Sequence, residues 1–201
     1  MTAHYLAVDT YPLGPGDHCL VHAAAGGTGR LLVQMAKMAG ATVWATVGTE
    51  EKAELARSAG ADHAILYREV DFADEIRRIS GEEKPLDVVY DGVGAAVFEA
   101  SLGLLRKRGL MATFGNASGP VEPVSPLALS AGGSLFLTRP TLFDYIATRE
   151  ELLARAGAVF TMIGDGALDV RIDTTYPLEA AADAHRHLEE RRSTGKILLT
   201  P

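Results

Sequence analysis

The sequence predicts a doubly wound α/β fold: a parallel sheet with helices on both faces, followed by a short C-terminal piece of an incomplete second domain. Three observations predict it. Six short apolar segments rich in β-branched residues alternate with stretches of helical periodicity between Asp17 and Thr138. The segments run apolar without strict alternation, as strands buried on both faces do. Glycines, 21 of 201 residues, gather where one periodicity gives way to the next, serving turns and helix ends. The right-handed crossover rule then winds the chain to both sides of the sheet.

The elements follow in order. Asp17 to Ala23 comes after the turn-like Pro12-Leu13-Gly14-Pro15-Gly16 and reads as the first strand. Arg30 to Ala39 places Leu31, Leu32, Met35 and Met38 at helical spacing and closes on Gly40. Thr42 to Val47 is a strand, and Glu50 to Ala59 a helix with acids in its first turn, where the dipole favours them. His63 to Tyr67, Leu86 to Tyr90, Leu110 to Gly115 and Ser134 to Thr138 supply four further strands. Helices are expected between them at Phe72 to Ile79, Ala95 to Arg106 and Pro126 to Ala131, and a further helix, Glu150 to Ile163, should pack on the sheet. Asp169 to Ile172 and Lys196 to Leu199 read as strands around a helix from Pro177 to Glu190. That stretch is too small for a core of its own. The expected division is therefore one α/β domain over 1–168 and a dependent C-terminal piece over 169–201.

Composition narrows the function. Twenty-six acidic against 19 basic side chains leave a net charge of −7, which disfavours nucleic acid and anionic membranes as partners. A single cysteine excludes a disulfide framework and a cysteine-only zinc site. No apolar run approaches the roughly 18 residues of a membrane span, and the start has no export signal, so a cytoplasmic location is expected.

The strongest motif is Ala23-Ala24-Ala25-Gly26-Gly27-Thr28-Gly29, between the first strand and the first helix. It is a variant of the dinucleotide fingerprint. Small residues let the backbone approach a pyrophosphate, the last glycine lets helix pack on strand, and the N–H groups at the helix start hold the phosphates. The alternative is a tight βα turn without a ligand. The end of the second strand, Thr46-Val47-Gly48-Thr49, lacks the acid that an NAD site carries about 20 residues past the glycines. Its absence removes repulsion against a 2′-phosphate, Gly48 leaves room, Thr49 can donate a hydrogen bond, and Lys52 follows one helical turn on. NADPH is favoured over NADH, the alternative being that Lys52 merely pairs with Glu50 or Glu51.

Other candidates fail. His185 and His187, two apart on a helix, do not share a face and make poor joint metal ligands. Cys19 reads as a buried structural thiol. Gly195-Lys196 lacks the rest of a P-loop, and Gly115-Asn116-Ala117-Ser118-Gly119 lacks the spacing of a nucleophile elbow. No metal site and no catalytic side chain emerges.

Taken together, His22 to Gly29, Gly48 to Lys52, Tyr67-Arg68-Glu69, Tyr90 to Gly94, Phe114 to Gly119, Gly133 to Pro140, Tyr145 to Glu151 and Glu190 to Pro201 resemble one family along the whole chain. That family is the zeta-crystallin-like NADPH:quinone oxidoreductases, the zinc-free branch of the medium-chain dehydrogenase/reductases. The resemblance implies a Rossmann sheet in which Gly26, Gly27 and Thr28 cradle the pyrophosphate. It implies Gly48, Lys52, Tyr67 and Arg191 around the 2′-phosphate, and Val93, Phe114, Gly115 and Asn116 along the ribose and nicotinamide path. It further implies NADPH-dependent reduction of a small-molecule quinone or enone, and a homodimer through the edge strand Ser134 to Thr138. Family members begin with a GroES-like lobe that forms the other wall of the substrate cleft. The present sequence lacks that lobe, so it is expected to be a truncation or a remnant with impaired turnover. An enoyl reductase module and a non-catalytic NADPH-binding or dimerisation module are the competing expectations.

Overall fold

The computed structural model describes residues 1–190 and 193–201. Arg191, expected at the 2′-phosphate, lies outside the described residues.

A six-stranded sheet forms from β1 (His18–His22), β2 (Thr42–Val47), β3 (His63–Leu66), β4 (Leu86–Asp91), β5 (Leu105–Thr113) and β6 (Phe136–Thr138), in the order β3-β2-β1-β4-β5-β6. Every pairing is parallel. The covering helices are α1 (Thr2–Tyr5), α2 (Gly29–Met38), α3 (Glu50–Ser58), α4 (Phe72–Ser80), α5 (Phe98–Leu102), α6 (Pro126–Gly133) and α7 (Arg149–Gly164). Alternate residues of each strand feed two cores. Val21, Val43 and Tyr90 join Leu32 of α2 and Ala53 of α3 on one face. Leu20, Trp44, Val89 and Met111 join Ile76 of α4 and Phe98 of α5 on the other. Both faces are thus dry, which is why the strand sequences run apolar.

Local chemistry starts and stops the helices. Asp71 Oδ1 accepts from Ala73 and Asp74 N–H at 2.8 and 3.0 Å and caps α4, which Gly81 ends in a left-handed conformation. Thr148 and Glu151 form a capping box at α7. Helix α1 continues into a π-helical turn, Leu6–Thr10.

Several boundaries differ from expectation. The helix expected from Ala95 to Arg106 is confined to Phe98–Leu102, and β5 begins at Leu105 rather than Leu110. The chain turns at Gly103, and Arg108 takes a φ of 62° in β5, whose register against β4 shifts between the pairs Leu86–Leu105 and Val88–Leu110. Ser134 is not in the edge strand; it caps α6 in a left-handed conformation, leaving β6 with three residues. Helix α7 does not lie flush on the sheet. Val159 and Met162 pack against the first core, while Phe160 stays 70% exposed. Arg155 ties it to α1 by a hydrogen bond to His4 and to the π-helical turn by an ion pair to Asp9.

The C-terminal segment forms its own two-stranded parallel sheet, β7 (Ile172–Pro177) with β8 (Lys196–Thr200), joined through α8 (Ala181–Glu189). The expected strand at Asp169 to Ile172 falls too early because Asp169 is engaged elsewhere. Its N–H and carbonyl bond the Gln34 amide of α2, and its carboxylate pairs with Arg30. The expected helix start at Pro177 is instead the end of β7 and a 3₁₀ turn, Leu178–Ala180.

Candidate functional site

The C-terminal ends of β1, β2 and β4 open into a cleft of about 510 Å³. This is the crevice where strand order reverses between β1 and β4, the place such sheets use for ligands. At its centre is the glycine turn. The space a Cβ would need on Gly29 lies 2.9 Å from the Ala24 Cα, and closer still to the Ala23 carbonyl oxygen, so a side chain there would drive α2 off β1. Ala23 itself has a φ of 52°. Gly26 N–H turns back to the Ala23 carbonyl at 3.0 Å. Among the described residues the N–H groups of Gly27 and Thr28 have no acceptor, and Thr28 heads the ten-residue α2 without a side-chain cap. Two unspent donors at a helix start fit a phosphate group.

The far end of the cleft is the tip of β2. Gly48, Lys52 and Tyr67 line it together, as Gly26, Gly27 and Val93 line the middle. The Thr49 hydroxyl accepts from Lys52 N–H and caps α3 while keeping its own O–H to donate. Beside Gly48 stand Tyr67 Oη and Arg68 Nε, 2.9 and 3.3 Å from the position a Cβ would take. Arg68, part of the Tyr67-Arg68-Glu69 stretch but not expected at the 2′-phosphate, is brought beside Gly48 by the pairing of β3 with β2. Lys196 was not expected at the glycine turn, its Nζ standing 3.4 Å from the Cβ position on Gly27.

Phe114, Gly115 and Asn116 follow β5. The Phe114 ring lies 3.1 Å from a Cβ position on Gly92, and Gly115 packs on the Gly92 backbone. Asp91 organises this loop pair. Its Oδ1 accepts from Val93 and Gly94 N–H at 2.7 and 2.9 Å. Burial raises its carboxyl above the usual range, opposed by those two bonds and by the charge of Arg139. Its Oδ2 and the Thr113 hydroxyl are both buried, and the hydroxyl also favours the ionised carboxylate. Phe114 lines a second cavity of about 240 Å³ with Thr2, Tyr5, Arg139 and Leu142. Thr28, Gly115 and Asn116 line neither cavity.

Behind the cleft His22 is fully enclosed. Its Nδ1 and Nε2 lie 2.8 Å from the Thr46 and Ser101 hydroxyls, and burial pushes its pKa down to about 3, so the ring is neutral. Burial likewise pushes the Cys19 thiol up, in keeping with a structural role. Among the described residues no group of three or more His, Cys, Asp or Glu could hold a metal, and no helix is long and apolar enough to cross a membrane. His187 bonds Tyr176 rather than pairing with His185.

Strand order, glycine turn and crevice together define a dinucleotide-binding α/β domain of the Rossmann type. The chain belongs to the zinc-binding dehydrogenase family, whose model matches residues 27–155. It is 44% identical over its whole length to a 2-haloacrylate reductase of Burkholderia and 45% identical to quinone oxidoreductase 1 of Escherichia coli. The solved structure of an Escherichia coli quinone oxidoreductase complexed with NADPH superposes on the whole chain with a TM-score of 0.94 at 44% identity. The chain spans 60% and 62% of the length of the two curated relatives.

Proposed function

We propose that this chain is the cofactor-binding part of an NADPH-dependent reductase of quinones or related conjugated carbonyls. The observation that carries the reading is the tip of β2, where no acid stands and Lys52, Tyr67 and Arg68 surround Gly48. A 2′-phosphate meets cations and a hydroxyl there, and Asp71, which lines the same cleft, spends Oδ1 on the α4 cap. The relatives named for quinone and haloacrylate reduction, and the neighbour solved with NADPH, support the same reading.

In this reading the Gly27 and Thr28 N–H groups hold the pyrophosphate, Gly26 gives it room, and Lys196 adds a positive charge beside Gly27. Val93 and the Phe114–Asn116 loop would flank the ribose and nicotinamide end of the cofactor. When bound, NADPH supplies a hydride to the acceptor, and water supplies the proton that completes the reduction. The chain's residues contribute orientation and electrostatics rather than acid–base chemistry. Dimerisation through β6 is part of the proposal, because that strand has an open edge and carries Phe136 at 58% exposure.

The test is thermal unfolding with NADPH and NADH in parallel, followed by NADPH oxidation against a quinone panel. A shift with NADPH that is weak with NADH supports the assignment. A cooperatively folded chain that responds to neither cofactor overturns it, and binding without oxidation favours a non-catalytic module.

A further inference from the structure

Among its described lining residues the cleft contains one acid, Asp71, at the start of α4. Its Oδ1 is spent on the helix cap, accepting from Ala73 and Asp74 N–H. Among the described residues no hydrogen bond or ion pair engages its Oδ2. Val70 and Phe72, its neighbours in sequence, line the same cleft, and the segment after β4 brings Val97 and Ala100 to it. The Phe72 ring is fixed from behind, meeting the buried His22 ring edge-on with centroids 5.1 Å apart. Val97 and Ala100 pack against the core to which Phe72 belongs. These apolar groups lie a short step along the chain from Tyr67, whose hydroxyl stands beside Gly48.

A dinucleotide whose 2′-phosphate sits at Gly48 carries its base on the same ribose, so the base lies within one sugar of that tip. Apolar side chains accept the face of any purine, because every base has a π-face. Only the edge tells one purine from another. A carboxylate oxygen is an acceptor with no proton to give, so it favours an exocyclic amine and opposes a carbonyl. The two N–H bonds to Oδ1 hold the carboxylate in one orientation, which leaves Oδ2 with a defined direction. We infer that Asp71 selects the base: Oδ2 accepts from the exocyclic amine of adenine and rejects a purine with a carbonyl in its place. The presence of a dinucleotide rests on the NADPH reading above; the choice of base rests on Oδ2.

The test measures binding of NADPH and of its deamino analogue, in which hypoxanthine replaces adenine, to the full chain by calorimetric titration. Both ligands carry the same phosphates, so the affinity ratio reads the base alone. Hypoxanthine puts a carbonyl where adenine has the amine and moves the N–H to the ring. The wild type should bind NADPH about tenfold or more tighter, the scale of a hydrogen bond to a charged group. Asp71→Asn keeps the cap through its amide oxygen and turns an N–H donor to the base, so the ratio should fall to about one or below. Asp71→Ser keeps the cap with no second oxygen and should bring the ratio near one. Equal binding of the two dinucleotides by the wild type, or a wild-type ratio that survives in Asp71→Asn, overturns the assignment. Should Asp71→Asn fail to fold, the wild-type ratio and Asp71→Ser decide. Binding of neither dinucleotide by the folded wild type overturns the NADPH reading and the base selection together, whereas equal binding overturns the base selection alone.

Discussion

Gly115 packs on the backbone of Gly92, with both the α-carbon and the carbonyl carbon of Gly92 2.8 Å from the position a Cβ would occupy on Gly115. The two loops that follow β4 and β5 are thereby pressed together, and Ser118 N–H closes them with a 2.7 Å bond to the Val93 carbonyl. Gly115→Ala forces the loops apart. It should destabilise the fold by about 1–3 kcal/mol, the usual scale of overpacking, and weaken NADPH binding. Urea unfolding checks the first effect; a change below about 0.5 kcal/mol, the scatter of an ordinary surface substitution, would contradict the packing described here.

The phosphate end of the cleft makes a separable prediction. At 100 times its dissociation constant NADPH should add about 2.7 kcal/mol to folded stability. Lys52→Ala and Arg68→Ala should each cut the preference for NADPH over NADH by about tenfold, the scale of one charge-assisted contact. Calorimetric titration with both cofactors reads the ratio, and an unchanged ratio in both variants would remove these residues from the 2′-phosphate site.

His22 makes stability depend on pH. Its folded pKa of about 3 lies below the ordinary histidine value of 6.5 because burial disfavours the charged ring. Between those values the unfolded chain binds a proton that the folded chain refuses. The contribution is complete above pH 6.5 and is lost as pH falls towards 3, at about 1.4 kcal/mol per pH unit. His22→Gln should be less stable at pH 7 yet lose stability less steeply below pH 6. Denaturant unfolding across pH 4–8 on both proteins measures the difference, and parallel curves would refute the buried neutral ring.

The tie between α2 and the C-terminal segment should be local in its effect. Gln34 Oε1 accepts from Asp169 N–H at 2.7 Å, and its amide donates to the Asp169 carbonyl at 3.0 Å. Gln34→Ala should speed hydrogen exchange in β7 and β8 while leaving exchange in β1 and β4 unchanged. Faster exchange throughout the chain would show that the segment is integral to the main core.

Apolar runs, β-branched residues and glycine punctuation were enough to place the six strands, because burial on both faces leaves no freedom for polar residues between Cys19 and Val21 or between Val88 and Tyr90. The Ala23–Gly29 turn was legible because close packing of α2 on β1 demands small residues at fixed spacing. Local sequence misjudged β5, where Arg108 and Gly109 bend a strand that continues back to Leu105. Tertiary structure alone decided that Arg68 stands beside Gly48, that Lys196 reaches Gly27, and that Thr2 and Arg139 line one cavity 137 residues apart along the chain. Periodicity is a property of neighbours in sequence and reports which face a residue takes. The meeting of side chains from distant elements depends on strand order and register, which are set by packing of the whole sheet.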